Sequence, residues 1–203
     1  MKRKRLPKKK YIVGIDEVGR GPLAGPVAVC AFRMDADFDA SVFGPVRDSK
    51  KLSPEQRKRI LAELKKLKNV GAIDYAVSME SAKRIDEIGI AACVDGCIAD
   101  CLGKLGAIPG ECRILLDGGI AAPGRFRHQH TIVGGDAKER AIAFASIVAK
   151  VARDALMVRA GKRYPGYGFE IHKGYGTAAH RKAMQKIGLT PLHRRSFCND
   201  RYS

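Results

Sequence analysis

Apolar and polar residues alternate along this chain with two different periods, and each period predicts a different element. Short apolar runs rich in β-branched residues and bounded by glycine predict strands, whereas an apolar stripe that recurs every three or four residues predicts a helix. The predicted strands cover 11–15, 26–32, 73–78, 113–117 and 131–133, and the predicted helices cover 54–68, 90–105, 140–159 and 177–188. Strands that alternate with helices predict an α/β fold, to which residues 164–203 add a small helical appendage.

Two local signals mark helices within this pattern. Ser53 is followed by Pro54 and, three positions on, by Gln56, which is the pattern of a capping box at the start of a helix. A pair of acids, Asp86 and Glu87, lies in helix-like sequence. We expect this pair in the first turn of a helix, because negative charge there complements the helix dipole.

Three of the predicted strands lead to an acidic residue beside glycines. The first strand runs into Asp16 and Glu17 and then a Gly-Arg-Gly turn, the fourth ends at Asp117, and two glycines and Asp136 follow the fifth. Adjacent carboxylates repel each other unless a proton or a cation lies between them. Each pattern alone also fits an acid that ends a strand and faces water. Together they predict carboxylates that converge at one edge of the sheet.

The composition adds a large positive charge to this picture. Lys and Arg number 38 against 21 Asp and Glu, which gives a formal net charge of +17 over 203 residues. Such an excess favours phosphate-rich ligands and makes nucleic acid the leading class of partner. Residues 1–10 are predicted to be a disordered basic arm that either touches phosphates or is a solvated tail. No apolar segment follows this arm, so it is not a secretory signal, and no apolar run reaches the length of a membrane span.

The cysteines and histidines give little support to zinc chemistry. Cys93, Cys97 and Cys101 recur every fourth residue, so they share one face of a predicted helix, where small apolar side chains pack well. Neither Cys-x-x-Cys nor His-Glu-x-x-His spacing occurs in the sequence. Because nothing indicates a disulfide framework, we expect a reducing, cytoplasmic setting.

A basic chain with four clustered carboxylates contains a conflict, because the carboxylates repel the phosphodiesters that the cations attract. Divalent metal ions remove this conflict, since carboxylate oxygens bind Mg²⁺ or Mn²⁺. Two such ions about 3.5–4 Å apart activate water on one side of a phosphorus atom and stabilise the leaving oxygen on the other. The charge alone equally fits a non-catalytic nucleic-acid-binding module, which would bind in a salt-dependent way without turnover.

Seven motifs occur in a fixed order along the chain, namely GIDEVGRGPLAGPV, DSKKLS, LLDGG, GGD, ASIVAKVARD, HKGYGT and HRRSF. Together they closely resemble bacterial ribonuclease HII, the type 2 ribonuclease H family, from about Tyr11 to Phe197. The resemblance implies a ribonuclease H-like mixed sheet flanked by helices, with a catalytic part at 11–163 and a C-terminal helical substrate-binding segment of the same domain at 164–203. It also implies a metal-dependent endonuclease that cleaves the RNA strand of RNA–DNA hybrids. Incision on the 5′ side of single ribonucleotides in duplex DNA, with 5′-phosphate and 3′-hydroxyl ends, would place it in ribonucleotide excision repair.

The resemblance implies roles for individual residues as well. A catalytic tetrad that binds Mg²⁺ or Mn²⁺ would consist of Asp16, Glu17, Asp117 and Asp136. The segment that reads the 2′-hydroxyl, mainly through backbone groups, would consist of Gly19, Arg20 and Gly21, and Tyr175 resembles the ring that packs on the sugar at the RNA-to-DNA junction. The remaining expected substrate contacts, with the cations on phosphates, are Ser49, Lys50, Lys51, Arg194 and Arg195.

Some features separate this chain from its relatives. Many relatives carry lysine where this chain has Gly134, so one cation near the scissile region is missing here. The related ribonuclease HIII usually adds an N-terminal substrate-binding domain, whereas residues 1–10 precede the first strand here, which favours ribonuclease HII. We expect a cytoplasmic monomer that binds hybrids and ribonucleotide-containing duplexes and no membrane, while a clamp-binding peptide cannot be read from the sequence. Another nuclease of the same general fold, such as a resolvase or a transposase, is the alternative.

Overall fold

The computed structural model describes residues 9–43 and 52–198. The strands are β1 (Tyr11–Val18), β2 (Val27–Asp35), β3 (Ile73–Glu80), β4 (Cys112–Asp117) and β5 (Gln129–Ile132). The α-helices are α1 (Pro54–Asn69), α2 (Ala82–Ile88), α3 (Ile90–Lys104), α4 (Gly135–Lys138), α5 (Arg140–Arg163), α6 (Phe169–His172) and α7 (Ala178–Ile187), and short 3-10 helices cover Ala40–Phe43 and Arg195–Phe197. The predicted strands and helices are confirmed to within a few residues at their ends. No helix in these two described ranges is long and apolar enough to cross a membrane.

The five strands form one mixed sheet in the order β3-β2-β1-β4-β5. β2 pairs antiparallel with both β1 and β3, whereas β4 runs parallel to both β1 and β5. Ile15 of β1 pairs with Leu116 of β4, so the residues that follow, Asp16 and Asp117, are neighbours across the ladder. The carboxyl ends of parallel strands meet at one edge of a sheet, and the two aspartates lie at that edge.

Helices cover both faces of the sheet, and β1 shows how each face is packed. Val13 and Ile15 contribute to the core cluster that contains the α3 cysteines, all of which are buried as predicted. Side chains alternate along a strand, so Gly14 faces α5 on the other side. A Cβ atom at Gly14 would lie 2.1 Å from the backbone carbonyl carbon of Ala141. The absence of a side chain at Gly14 therefore lets α5 lie directly against the centre of the sheet.

α1 begins where the sequence predicts, whereas α2 begins earlier than predicted. The Ser53 side chain accepts the N–H of Gln56, and the Gln56 side chain accepts the N–H of Ser53, so the predicted capping box is confirmed. α2 begins earlier than expected, because the side chain of Ser81 caps its first turn. Asp86 and Glu87 consequently lie near the C-terminal end of α2, and the prediction that they start a helix is wrong.

Residues 164–198 pack on the loop that follows β1. The backbone N–H groups of Leu23 and Ala24 both donate to the carbonyl of Gly174, at 2.9 and 3.2 Å. Tyr167 stacks on Phe169 with 5.2 Å between ring centroids, so some of the aromatic residues here form a small core rather than an exposed surface. The division of the chain at residue 164 stays a prediction, and residues 1–8 of the basic arm lie outside the described residues.

Candidate active site

A cleft of about 440 Å³ opens at the edge of the sheet where β1 and β4 end. Acidic side chains, a glycine-rich turn, an aromatic ring and one face of α5 surround it. The lining residues are Asp16, Glu17, Val18, Gly19, Arg20, Gly21, Asp117, Ser146, Lys150 and Tyr175. Three residues of the predicted tetrad and all four of the predicted sugar-contacting residues therefore share one cleft.

Asp16 lies on the α5 side of β1 and is 7% exposed. Its Oδ1 accepts the backbone N–H of Glu17 at 2.8 Å, and Ser146 of α5 hydrogen-bonds to the carboxyl group. Burial raises the pKa of Asp16 to about 7, and the carboxylates of Glu17 and Asp117 add to this rise against the opposing bond from Ser146. The cleft thus disfavours an ionised Asp16 unless positive charge is added next to it.

Glu17 is the next residue along β1, and its side chain also lines the cleft because the strand ends one residue later. Its Oε1 lies 3.6 Å from Nη1 of Arg20. Its Oε2 is buried and has no hydrogen-bond partner among the described residues. Burial raises the pKa of Glu17, and the charge of Arg20 opposes that rise. A buried carboxylate oxygen without a partner is unfavourable and marks a position where a cation or a donor is missing.

Asp117 ends β4, and its Oδ1 accepts the backbone N–H of Gly135 at 2.7 Å. This bond ties the loop that carries the fourth predicted acid to the end of β4. Asp136, in the first turn of α4, is 3% exposed and is not one of the residues that line the cleft. Three of the predicted metal ligands therefore line one cleft, whereas the fourth is buried and directly follows the residue whose N–H donates to Asp117.

The donor set of the cleft fits a divalent metal ion. Carboxylate oxygens are the ligands that Mg²⁺ and Mn²⁺ prefer, and Glu17 Oε2 has unused acceptor capacity. A cation held by Asp16, Glu17 and Asp117 would offset the burial and repulsion that raise the pKa of Asp16. Within residues 9–43 and 52–198, no three acidic, histidine or cysteine side chains already converge on one point as a closed metal site. Metal binding would therefore involve rotation of the carboxylates towards the ion.

The structure presents the predicted substrate contacts in different ways. The side chain of Arg20 is 45% exposed, Tyr175 is 45% exposed, and both line the cleft. Arg195 is also exposed, and its backbone N–H donates to Asp86. Arg194 is 0% exposed and donates to backbone carbonyls, so the prediction that it contacts phosphate is wrong, because a guanidinium enclosed in this way does not reach the surface. Ser49, Lys50 and Lys51 lie outside the described residues.

α5 contributes two cleft side chains that the sequence prediction lacks, Ser146 and Lys150. Burial lowers the pKa of Lys150, while Asp154, whose Oδ2 lies 3.9 Å from Lys150 Nζ, raises it. Asp154 is therefore a salt-bridged acid on the surface of α5. Ser146, Lys150 and Asp154 follow one another at intervals of four residues, which places them on one helix face. That spacing is the signal by which the sequence could have revealed them.

A second groove, of about 590 Å³, adjoins the cleft at Lys150. α1 and α5 form its sides, together with residues from the end of α6. Its cationic lining residues are Arg57, Lys58, Lys150 and Lys173. The cleft and this groove together form a basic surface that suits the phosphates of a nucleic acid.

The fold and the cleft define a class of protein. A mixed sheet flanked by helices, with carboxylates at the ends of β1 and β4, is the architecture of a ribonuclease H-type nuclease. The ribonuclease HII of Archaeoglobus fulgidus, solved in a complex with PCNA, shares this fold with a TM-score of 0.74 at 24% identity, over 93% of this chain and 96% of that chain. Bst-RNase HIII in complex with Mn²⁺ matches with a TM-score of 0.56 at 20% identity, over 89% of this chain and 70% of that chain.

Sequence comparison identifies the family within this class. The family model described as Ribonuclease HII matches residues 13–200. The ribonuclease HII of Lachnoclostridium phytofermentans is 42% identical over 191 residues, which are 94% of this chain and 71% of the relative. The chain belongs to the ribonuclease HII family, and the predicted resemblance is confirmed. It is accordingly a ribonuclease H, an endoribonuclease that acts on RNA–DNA hybrids.

Proposed function

We propose that this ribonuclease H depends on divalent metal ions and also incises duplex DNA on the 5′ side of a single ribonucleotide. The products would carry 5′-phosphate and 3′-hydroxyl ends, as expected when water attacks the phosphorus atom and the 3′ oxygen leaves. The observation that carries the proposal is the shared cleft, in which three carboxylates face a Gly-Arg-Gly turn and the exposed ring of Tyr175.

The acidic wall of the cleft would hold the metal ions. Asp16, Glu17 and Asp117 provide carboxylate oxygens for Mg²⁺ or Mn²⁺. Asp136 remains the proposed fourth ligand, since it follows the Gly135 whose N–H donates to Asp117. Such ions, when bound, activate water and stabilise the leaving oxygen.

The glycine-rich turn and Tyr175 form the other wall of the cleft, which we call the sugar-facing wall because we propose that it selects the sugar. The backbone of Gly19, Arg20 and Gly21 would contact the 2′-hydroxyl, which is the group that distinguishes RNA from DNA at a given site. The ring of Tyr175 would pack on the sugar at the RNA-to-DNA junction. Lys150 would hold a phosphate in the cleft.

The substrate and the partners follow from the charge and from the family. A duplex that extends beyond the cleft would lie along the basic groove next to Lys150, attracted by the net charge of +17. A sliding clamp is a further proposed partner, since the Archaeoglobus fulgidus relative was solved in a complex with PCNA. We also propose that the protein acts as a cytoplasmic monomer in ribonucleotide excision repair.

The test uses two duplexes of one sequence, one with four consecutive ribonucleotides and one with a single ribonucleotide. Each is incubated with the wild-type protein and Mg²⁺, Mn²⁺ or EDTA, and the ends of the products are determined. We expect metal-dependent cutting of both duplexes and no cutting in EDTA, with an all-DNA duplex and a branched DNA junction left intact. An uncut single-ribonucleotide duplex would refute the incision activity, and a cut junction would favour a resolvase-type nuclease.

A further inference from the structure

Two arginines are buried behind the glycine-rich turn of the cleft. Arg153 of α5 is 1% exposed, and Arg194 of the C-terminal segment is 0% exposed. Among the described residues, neither guanidinium has a carboxylate oxygen within 4.0 Å. Buried charged groups are normally paired with an opposite charge, so these two arginines have a different kind of partner.

The partners of Arg194 are backbone carbonyls of the turn itself. Its Nη2 donates to the carbonyl of Gly19 at 2.6 Å, its Nη1 to that of Arg20 at 2.8 Å, and its Nε to that of Gly25 at 3.0 Å. Its own backbone N–H donates to the carbonyl of Leu23 at 2.8 Å. Burial lowers the pKa of Arg194 to about 10, so the guanidinium stays charged at neutral pH and keeps all of its donors. A planar fork with five N–H groups can hold three carbonyls at once, which an ammonium group does with much less geometric control.

Arg153 holds the second half of the same loop. Its Nε donates to the carbonyl of Pro26 at 2.8 Å, and its Nη2 donates to that of Ala24 at 3.2 Å. Its side chain also fills the space next to Gly19, where a Cβ atom would lie 2.2 Å from Nε of Arg153. Gly19 has φ +88, a backbone conformation that favours glycine. Only glycine at position 19 therefore leaves room for the side chain of Arg153 and readily adopts this backbone conformation.

The carbonyl bonds decide where the amide groups of the turn point. In a planar trans peptide unit, the C=O and N–H bonds point in opposite directions. The carbonyls of Gly19 and Arg20 point at Arg194, so the N–H groups of Arg20 and Gly21, which belong to the same two peptide units, point away from it. Both residues line the cleft on that side. Neither N–H donates to another group in the described part of the chain, so both are available to a ligand.

The same loop is joined to the segment that carries Tyr175. Leu23 and Ala24 donate to the carbonyl of Gly174, and a Cβ atom at Gly174 would lie 2.2 Å from the carbonyl oxygen of Ala24. The turn and the ring next to Gly174 are thus parts of one tightly packed unit.

We propose that Arg194 is a positioning residue that sets the sugar specificity of the cleft, and that Arg153 supports it. The guanidinium of Arg194 orients the N–H groups of Arg20 and Gly21 as preformed donors to the 2′-hydroxyl oxygen of a ribonucleotide, and Arg153 fixes the second half of the loop, without either touching the substrate. This inference rests on the proposed function, because it explains how the turn that reads the sugar acquires its shape.

The test measures binding to a duplex with one ribonucleotide and to an all-DNA duplex of the same sequence. All proteins carry Asp117→Asn so that neither duplex is cut. We expect Arg194→Met to reduce the preference for the ribonucleotide duplex by about tenfold or more, as expected for the loss of well-aligned hydrogen bonds, while affinity for the all-DNA duplex changes less than about twofold. Arg153→Met should reduce the preference by a smaller factor. Arg159→Met removes an exposed arginine from the same helix as Arg153 and should leave the preference unchanged.

Other results of this experiment would overturn the inference or the proposed function. An unchanged preference in folded Arg194→Met, or an equal loss of affinity for both duplexes, would overturn the inference, because the second result indicates a merely structural role. If Arg194→Met fails to fold, Arg194→Lys decides, since it keeps the charge and the stem but lacks the fork, and an unchanged preference there overturns the inference as well. A parent protein without any preference for the ribonucleotide would refute the proposed incision activity itself, so the two failures are distinguishable.

Discussion

The two walls of the cleft bury charge in opposite ways. On the acidic wall, Asp16, Glu17 and Asp117 bring like charges together, the pKa of Asp16 is raised to about 7, and one oxygen of Glu17 has no partner among the described residues. Behind the sugar-facing wall, Arg153 and Arg194 are fully buried, and five backbone carbonyls accept their hydrogen bonds. The carboxylates of the first wall need a cation to balance their charge, whereas the arginines behind the second wall already have backbone carbonyls as partners. One wall is therefore suited to bind a metal ion, and the other is suited to hold a fixed shape.

The largest effect is expected from a change on the acidic wall. Asp117→Asn should lower the rate of hybrid cleavage by more than about 100-fold, because even the loss of an outer partner of a metal ligand costs about 10–100-fold. Duplex affinity should change less than about threefold, since the cationic residues that we propose to contact phosphates remain. Single-turnover cleavage and equilibrium binding measure the two quantities. Asp95→Asn, at an exposed position of α3, is the matched control, and full activity of Asp117→Asn would exclude Asp117 from the metal site.

A change in the sugar-facing wall should act on stability. In Gly19→Ala, the new Cβ atom would lie 2.2 Å from Arg153 at a backbone φ of +88, so we expect the free energy of unfolding to fall by about 2–3 kcal/mol. Gly21→Ala is the control in the same turn, because a Cβ atom there has nothing within 4 Å, and the change should stay within about 0.5 kcal/mol. Denaturant titration measures both. Equal stability of the two variants would contradict the claim that Arg153 packs tightly against Gly19.

The C-terminal segment also contains a buried histidine pair, His180 and His193, whose Nε2 atoms lie 3.1 Å apart. Burial, and then the charge of His180, lower the pKa of His193 to about 4. The unfolded chain, with a histidine pKa of about 6.5, binds more protons than the folded protein between these two values, so this group makes stability fall as the pH drops through that range.

Between pH 7.5 and pH 4.5, the wild type should therefore lose about 2 kcal/mol more stability than His193→Gln, whose side chain does not titrate. The comparison of the two proteins cancels the opposite contribution of Asp16, whose raised pKa favours the folded state as the pH falls. Denaturant titration across this pH range measures the difference. Parallel pH profiles would show that the histidine pair is hydrated rather than buried.

The smallest effect is expected where the two walls meet at the surface. Arg20 and Glu17 form an ion pair of 3.6 Å, but the arginine side chain is 45% exposed. Exposed pairs of this kind contribute little, so Arg20→Gln should change the free energy of unfolding by less than about 0.5 kcal/mol. A loss above about 1 kcal/mol, measured by the same denaturant titration, would indicate that the acidic wall is held together by Arg20 rather than left open for a cation.

Local sequence rules account for most of the fold and for the acidic wall. Alternation along β1 and the parallel pairing of β1 with β4 are regular features, so apolar runs that lead into Asp16 and Asp117 predict two acids at one edge of the sheet. The capping residues around Ser53 likewise determine where α1 begins. These features need no knowledge of distant contacts.

Contacts between distant segments explain what the sequence did not predict. Arg194 lies in a basic run that resembles an exposed surface, yet it is buried because its partner Gly19 lies 175 positions away. Asp86, expected at a helix start, instead accepts hydrogen bonds from the backbone of Arg195, 109 positions away. Lys150 enters the cleft because α5 packs on β1 at Gly14, which fixes the helix face that meets the acids. Local periodicity places Ser146, Lys150 and Asp154 on one helix face, but it does not show which distant segment that face meets, and it gives no sign of the partners of Arg194 and Asp86.

The most direct test is a Mn²⁺ titration followed by electron paramagnetic resonance, because it asks whether the acidic wall lacks a cation. We predict that the wild type binds Mn²⁺, that Asp16→Asn weakens this binding by about tenfold or more, and that Asp95→Asn binds as the wild type does. Equal Mn²⁺ affinity in all three proteins would contradict the claim that the carboxylates of β1 and β4 hold the metal.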